Sequence, residues 1–221
     1  MTEEKVINIL SGMITENRFN KFNEVLDNRT RYITVVLEDL FQSHNASAVL
    51  RSCDCFGIQD VHFIENNFQY QENPEVSMGS SQWLNIHRYN QYSNNTERAL
   101  LELKKQGYRI IATTPHTKEN SLQKFDIKKG KVALVFGAEL PGLSEIALNI
   151  ADEHVNIPMF GFTESFNISV SAAIFLYELR NKLNESNIDW HLSKKERDII
   201  LAEWLKKSVK DSEIILKNIQ S

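Results

Sequence analysis

At 221 residues, with 42% hydrophobic and 24% charged side chains, the chain is long enough to bury a sizeable core in one or two domains. Eight Gly and four Pro exclude a collagen-like or Pro/Gly-rich disordered chain, and apolar runs such as Val132–Phe136 are far too short to span a bilayer. The net charge of −4 argues, taken alone, against a nucleic-acid partner. It is unevenly spread, however. Residues 1–31 hold five basic and five acidic groups, residues 32–179 hold 11 and 17, and residues 180–221 hold nine and seven. The first twenty residues mix acidic, polar and apolar side chains, unlike a secretory signal, so a soluble cytoplasmic chain is expected. Cys53 and Cys55 point about 200° apart on one helix and do not bridge. Two thiols are too few for a structural zinc site, and the six histidines (44, 62, 87, 116, 154 and 191) lack metal-ligand spacing. The cysteines read as small core residues in a reducing compartment, and no metal is expected.

In chain order, residues 3–14 predict a short helix on the stripe Val6, Ile7, Ile9, Leu10 and Ile14, with Gly12 placed to break it early. A second helix over 16–28 carries Phe19, Phe22, Val25 and Leu26, with Arg18 and Lys21 on its polar side and Arg29 and Arg31 after it. The β-branched run at 32–37 (YITVVL) predicts a buried strand. Ser43, His44 and Asn45 read as a cap for a helix that Gly57 ends. A strand at 61–64 precedes a polar loop over 65–82 and a short strand at 83–86. A helix at 94–106 leads to a strand at 108–113. A strand at 131–136, a helix at 143–150, a strand at 154–157 and a long apolar helix at 168–183 complete the alternation. Residues 193–219 predict a final amphipathic helical region. Strands alternating with helices imply an α/β fold: a mostly parallel sheet with helices on both faces.

Ligands of such sheets bind beyond the carboxyl ends of the strands, and three turns there stand out. The first holds Asn45 and Arg51 in the pattern N-x-x-A-x-x-R; a guanidinium beside Leu50 needs a partner, which Asp54 could supply. The second, residues 136–143 (FGAELPGL), places Gly137 where a backbone can approach a ligand closely and Glu139 where a carboxylate could accept hydrogen bonds or act as a base. It lacks the Gly-Lys-Ser/Thr ending of a P-loop, which speaks against a kinase-like phosphate site. The third, residues 157–167, holds Ser165 and Asn167, either of which suits a helix cap. The apolar Met159, Phe160 and Phe162 in that stretch suggest a pocket wall or partner surface.

Together and in this order, N-x-x-A-x-x-R at 45–51, F-G-x-E-x-x-G-L at 136–143 and I-P-M-x-G-x-x-x-S-x-N-x-S at 157–169 resemble the three motifs of the SpoU/TrmH family of RNA ribose 2′-O-methyltransferases. The resemblance implies a C-terminal trefoil knot, an exception to the rule against threading, with S-adenosylmethionine held in it and a homodimer as the working form. It implies that Arg51 activates the ribose 2′-hydroxyl, acting with an RNA phosphate or as an electrostatic stabiliser of the developing alkoxide, since its pKa suits it poorly as a base. Asn45 is similar to the residue that positions that Arg, while Glu139, Ser165 and Asn167 match polar residues that shape the site and the dimer. Knot backbone around Thr114, Gly137, Ile157 and Phe166 would hold the cofactor, with Phe166 standing where family members usually carry Leu.

By the same resemblance the chain divides into a helical arm (1–31), a knotted α/β methyltransferase domain (32–184) and a C-terminal helical extension (185–221). That layout, with R-x-x-K-F-x-x-V-L at 18–26 and L-E-D at 37–39, is similar to family members that methylate the D-loop guanosine (position 18) of tRNA. Other ribose methylations of rRNA or tRNA, or RNA binding without catalysis, are the alternatives. Arg18, Lys21, Arg29, Arg31, Lys194 and Lys195, with Lys206, Lys207 and Lys210, are the expected phosphate contacts.

Overall fold

In the computed structural model, which describes residues 1–115, 120–139 and 141–219, the β-branched run becomes strand β1 (Ile33–Glu38), buried at every position. His116 and Leu140 lie outside the described residues. Five more strands follow: β2 (Asp60–Ile64), β3 (Asn85–Tyr89), β4 (Arg109–Thr113), β5 (Val132–Phe136) and β6 (Glu153–Val155). They form one sheet in the order β3-β2-β1-β5-β4-β6, and all five neighbouring pairs are parallel. The α/β architecture with a parallel sheet is therefore as expected.

The helices in chain order are α1 (Glu3–Ser11), α2 (Glu16–Asp27), α3 (Ser43–Cys55), α4 (Pro74–Ser77), α5 (Asn95–Lys105), α6 (Glu145–Ile150), α7 (Ile168–Asn184), α8 (Lys194–Ser208) and α9 (Ser212–Asn218). The chain separates into two compact units, residues 31–190 and residues 1–30 with 191–221. In the first, alternate residues of β1 feed two cores. Ile33, Val35 and Leu37 pack with Val49, Leu50 and Cys53 of α3 and Phe175, Leu176 and Leu179 of α7. Val36 packs on the other face with Ala99, Leu100 and Leu103 of α5 and Ala147 of α6. Burial on both faces is why these strands read as continuous apolar runs rather than alternating ones. In the second unit α8 packs on α1 and α2, and Trp204 meets Phe22 edge to face at 5.7 Å. Ser193 and Glu196 close a reciprocal capping box at the start of α8. None of the described helices is long and apolar enough to cross a membrane.

Several expected boundaries shift. The polar stretch 65–82 contains α4 and a 3-10 turn at Ser80–Trp83, and the short strand begins two residues later than expected, at Asn85. The final helical region breaks between α8 and α9, where Asp211 adopts φ +56°. Gly57 does end α3: at φ +74° it lets Ile58 N–H donate back to Cys53 O at 2.9 Å. Cys53 is a core residue as expected, but Cys55 is exposed, because the half-turn between them carries it to the outer side of the helix.

At the edge of the sheet β2 and β3 pair His62 with His87, and the two rings stack at 4.5 Å. Burial first, and the neighbouring His87 second, lower the His62 imidazole to about 3 from its ordinary 6.5. The folded chain thus refuses a proton that the unfolded chain accepts below about pH 6.5. Stability is fully present above that pH and falls as the pH drops towards 3, by up to about 1.4 kcal/mol per unit. Thermal melts of wild type and His62→Gln between pH 7.5 and 4.5 test this: the variant should lose less stability on acidification, and parallel profiles would remove His62 as the cause.

Candidate active site at the switch point of the sheet

Strand order reverses between β1 and β5, so the segments leaving their carboxyl ends diverge and open a crevice. Asn45, on the first turn of α3 after β1, and Glu139, three residues past β5, meet there: Asn45 Nδ2 donates to Glu139 Oε1 at 2.8 Å. Asn167 joins from the start of α7, its Nδ2 donating to Glu139 Oε1 and to Asn45 Oδ1, both at 3.1 Å. Its own Oδ1 accepts from Ser169 N–H at 2.9 Å, so one side chain caps α7 and closes the cluster. Each of the three sequence motifs supplies one member. The expected cap at residues 43–45 is corrected: the N-cap is Gln42, without a side-chain cap bond, and Asn45 turns away from its own helix end to Glu139. Asn45 is 5% exposed, a buried amide that needs its partners.

Beside this cluster lies a cleft of about 610 Å³, within the usual range for small-ligand sites. Thr114, Gly137, Ile157 and Phe166, the four residues expected around a cofactor, all line it, as do Glu139, Ser165 and Asn167. The segments after β4, β5 and β6 each contribute to its wall. Gly137 is required for a reason other than ligand approach. A Cβ there would lie 2.3 Å from the carbonyl of Gly142, because the turn folds back on itself, with Gly142 N–H donating to Ala138 O at 3.0 Å.

Other expected residues fall elsewhere. Arg51 is on the exposed side of α3 and makes no hydrogen bond or ion pair with a described residue, Asp54 included. Ser165 lines the cleft without joining the hydrogen-bonded cluster. Arg29 is corrected as a phosphate contact: it is 1% exposed, with its guanidinium 5.4 Å over the Trp204 ring, so it serves the packing of its own unit. Arg31 is partly committed, its Nε donating to Asp60 Oδ2 at 2.8 Å. Arg18, Lys21, Lys194 and Lys195 are exposed. Gln42 was not foreseen. Its Oε1 accepts from Asn45 Nδ2 at 3.0 Å, and no spacing rule distinguishes it from any other polar residue before a helix. Among the described residues no cluster of His, Cys, Asp and Glu could hold a metal ion.

These features define an α/β protein with a cleft of small-molecule size at the carboxyl ends of β4, β5 and β6, beside the switch point of its sheet. The profile of the SpoU rRNA Methylase family matches residues 32–177, and the chain belongs to that family. It is 42% identical to the tRNA (guanosine(18)-2′-O)-methyltransferase of Borreliella burgdorferi, over 98% of this chain and 97% of that protein. The crystal structure of the A. aeolicus TrmH/SpoU tRNA modifying enzyme superposes with a TM-score of 0.78 at 30% identity, covering 88% of this chain and 98% of the other. The SpoU methyltransferase AviRb of Streptomyces viridochromogenes, solved with the cofactor AdoMet, superposes with a TM-score of 0.60 over 74% of this chain and 62% of the other; at 20% identity that likeness speaks for the fold.

Removing the shared acceptor should be felt in stability. Glu139→Ala leaves the buried Asn45 amide short of a partner, at an expected cost of about 1–3 kcal/mol. Glu139→Gln keeps an acceptor oxygen and should cost less. Denaturant unfolding of the two variants decides; equal costs would mean that the cluster does not depend on this oxygen.

Proposed function

We propose that this protein transfers a methyl group from S-adenosylmethionine to a ribose 2′-hydroxyl of RNA, namely the D-loop guanosine at position 18 of tRNA. The observation that supports this most is the meeting of Asn45, Glu139 and Asn167 beside the cleft, which Glu139 and Asn167 line. The near full-length likeness to the B. burgdorferi enzyme supports the position. A tRNA substrate makes the cytoplasm the place of action.

The cleft suits the cofactor in size and in chemistry, with apolar Ile157 and Phe166 for a flat base and polar Thr114, Ser165 and backbone at Gly137 for its hydrogen-bonding groups. Bound there, S-adenosylmethionine supplies an electrophilic methyl on a sulfonium. The protein's part is then to hold the hydroxyl oxygen in line and to favour its negative charge. Asn45 and Asn167, locked by Glu139, fix the floor on which the ribose sits. Glu139 is a positioning group, since its Oε1 is engaged by two amide donors. Arg51 stabilises the developing alkoxide while the proton passes to a phosphate oxygen or water.

A trefoil knot formed by the segments after β4, β5 and β6 is part of the same reading. Leu122 N–H donates to Asn156 O at 2.9 Å and Asn156 N–H to Asn120 O at 3.0 Å, which supports close interleaving of the first and last of these segments. A homodimer is supported by apolar groups left in solvent on and before α7, where Phe160, Phe162, Val170 and Tyr177 are all exposed. Tyr177 touches Phe56 at the end of α3, so this face extends to the helix that bears Arg51. Arg18, Lys21, Lys194 and Lys195 are the proposed phosphate contacts.

Mapping of 2′-O-methyl groups by mass spectrometry in tRNA from cells lacking the protein should show the position-18 methyl missing; an unchanged profile overturns the assignment. Arg51→Ala should abolish transfer while calorimetry finds cofactor binding nearly intact, and loss of both would make Arg51 structural. Lys194→Ala with Lys195→Ala should weaken tRNA binding and flatten its salt dependence by about two phosphate contacts; an unchanged slope would remove them from the interface.

A further inference from the structure

Two loops at the same rim carry aromatic rings that the site above does not use. Phe41, in the connection from β1 to α3, is 73% exposed, and Phe68, in the loop after β2, is 42% exposed. Their rings meet at 5.1 Å and 75°, edge to face, which leaves most of the Phe41 ring in solvent. Large apolar side chains exposed in this way tend to mark a binding surface.

The pair is built rather than loose. Asp39 adopts φ +51°, and its Oδ1 accepts from the backbone N–H groups of Asn66 (2.7 Å), Asn67 (2.8 Å) and Phe68 (3.4 Å). Its Oδ2 accepts from Asn67 Nδ2 at 2.8 Å. One carboxylate thus clamps the loop bearing Phe68 to the loop bearing Phe41. Further along, Tyr70 stacks on Phe63 at 4.2 Å and Asn73 N–H donates to Ser47 Oγ at 2.9 Å, seating the second loop against α3. Phe41 also directly precedes Gln42, whose Oε1 accepts from Asn45 Nδ2, so the ring is borne one residue along the chain from the hydrogen-bonded cluster.

We propose that Phe41, backed by Phe68, is a stacking platform for a nucleobase of the RNA substrate next to the methylated nucleotide. This rests on the RNA-methyltransferase reading. The chemistry favours a base over other occupants. An exposed, neutral aromatic face offers π-stacking, while the nearby amides of Asn66 and Asn67 are already engaged with Thr96, Asn95 and Asp39 and hold the loop. Residues reached through splayed or looped RNA are recognised in that way. Stacking of this kind is sequence-tolerant and is lost on truncation to alanine by roughly 5- to 150-fold.

The test is tRNA binding by filter retention, alongside single-turnover methylation at saturating cofactor, for wild type, Phe41→Ala, Phe41→Trp and Asp39→Ala. Phe41→Ala should raise both the Kd and the half-saturating tRNA concentration roughly 5- to 150-fold, with cofactor binding, Tm and sedimentation unchanged. Phe41→Trp should restore binding and show fluorescence quenching when tRNA is added. Asp39→Ala, which releases the clamp, should weaken tRNA binding as Phe41→Ala does. Unchanged tRNA binding by Phe41→Ala overturns the proposal. So does a joint fall in Tm and cofactor binding, which means a structural role, or conversion to monomer, which means that the rings serve a second copy. A wild type that binds tRNA through Phe41 yet transfers no methyl would overturn the functional reading and leave the platform standing.

Discussion

The site depends on one carboxylate oxygen. Glu139 Oε1 accepts amide hydrogens from Asn45 and Asn167, residues 122 positions apart in the chain. A carboxylate oxygen satisfied by two amides is a strong acceptor, and charge-assisted bonds of this kind exceed neutral ones. The three segments can converge because β1 and β5 are adjacent at the reversal of strand order. Glu139 reaches the meeting point because the turn at 137–142 folds so tightly that a Cβ on Gly137 would strike Gly142. A backbone requirement at one glycine thus sets the position of a carboxylate, which sets two amides.

The same device recurs along the rim. Glu38, buried at the end of β1, accepts from Thr96 Oγ1 at 2.6 Å and from Ser144 N–H and Oγ at 2.9 and 2.7 Å, tying the starts of α5 and α6 to the central strand. Asp39, the next residue, clamps the loop after β2. Three acidic residues near the carboxyl ends of β1 and β5 therefore organise the loops around them by accepting bonds. This recasts the acid excess of residues 32–179: part of it is structural, spent on holding loops in place, and is not a field facing a substrate. The exposed cations Arg18, Lys21, Lys194 and Lys195 all belong to the other unit, which is free of that excess.

Much was determined by the sequence alone. Continuous β-branched runs specify buried parallel strands, and Gly57 specifies the end of α3, because only certain residues fit those environments. The three motifs were legible as a set, and the residues expected around a cofactor do line one cleft. What only the tertiary structure decided is which polar group meets which. Asn45 reads as a cap until Glu139 arrives from 94 residues away to take its amide. Arg29 reads as a solvent cation until Trp204, from the far end of the chain, closes over it. Gln42 and the exposed Phe41 carry no local signature at all, and Asp39 stands out only as the end of the L-E-D run at 37–39, which says nothing of the loop it clamps. Periodicity reports which face of an element is apolar; hydrogen-bond partners and ring contacts between distant segments arise from strand order, which no local pattern encodes.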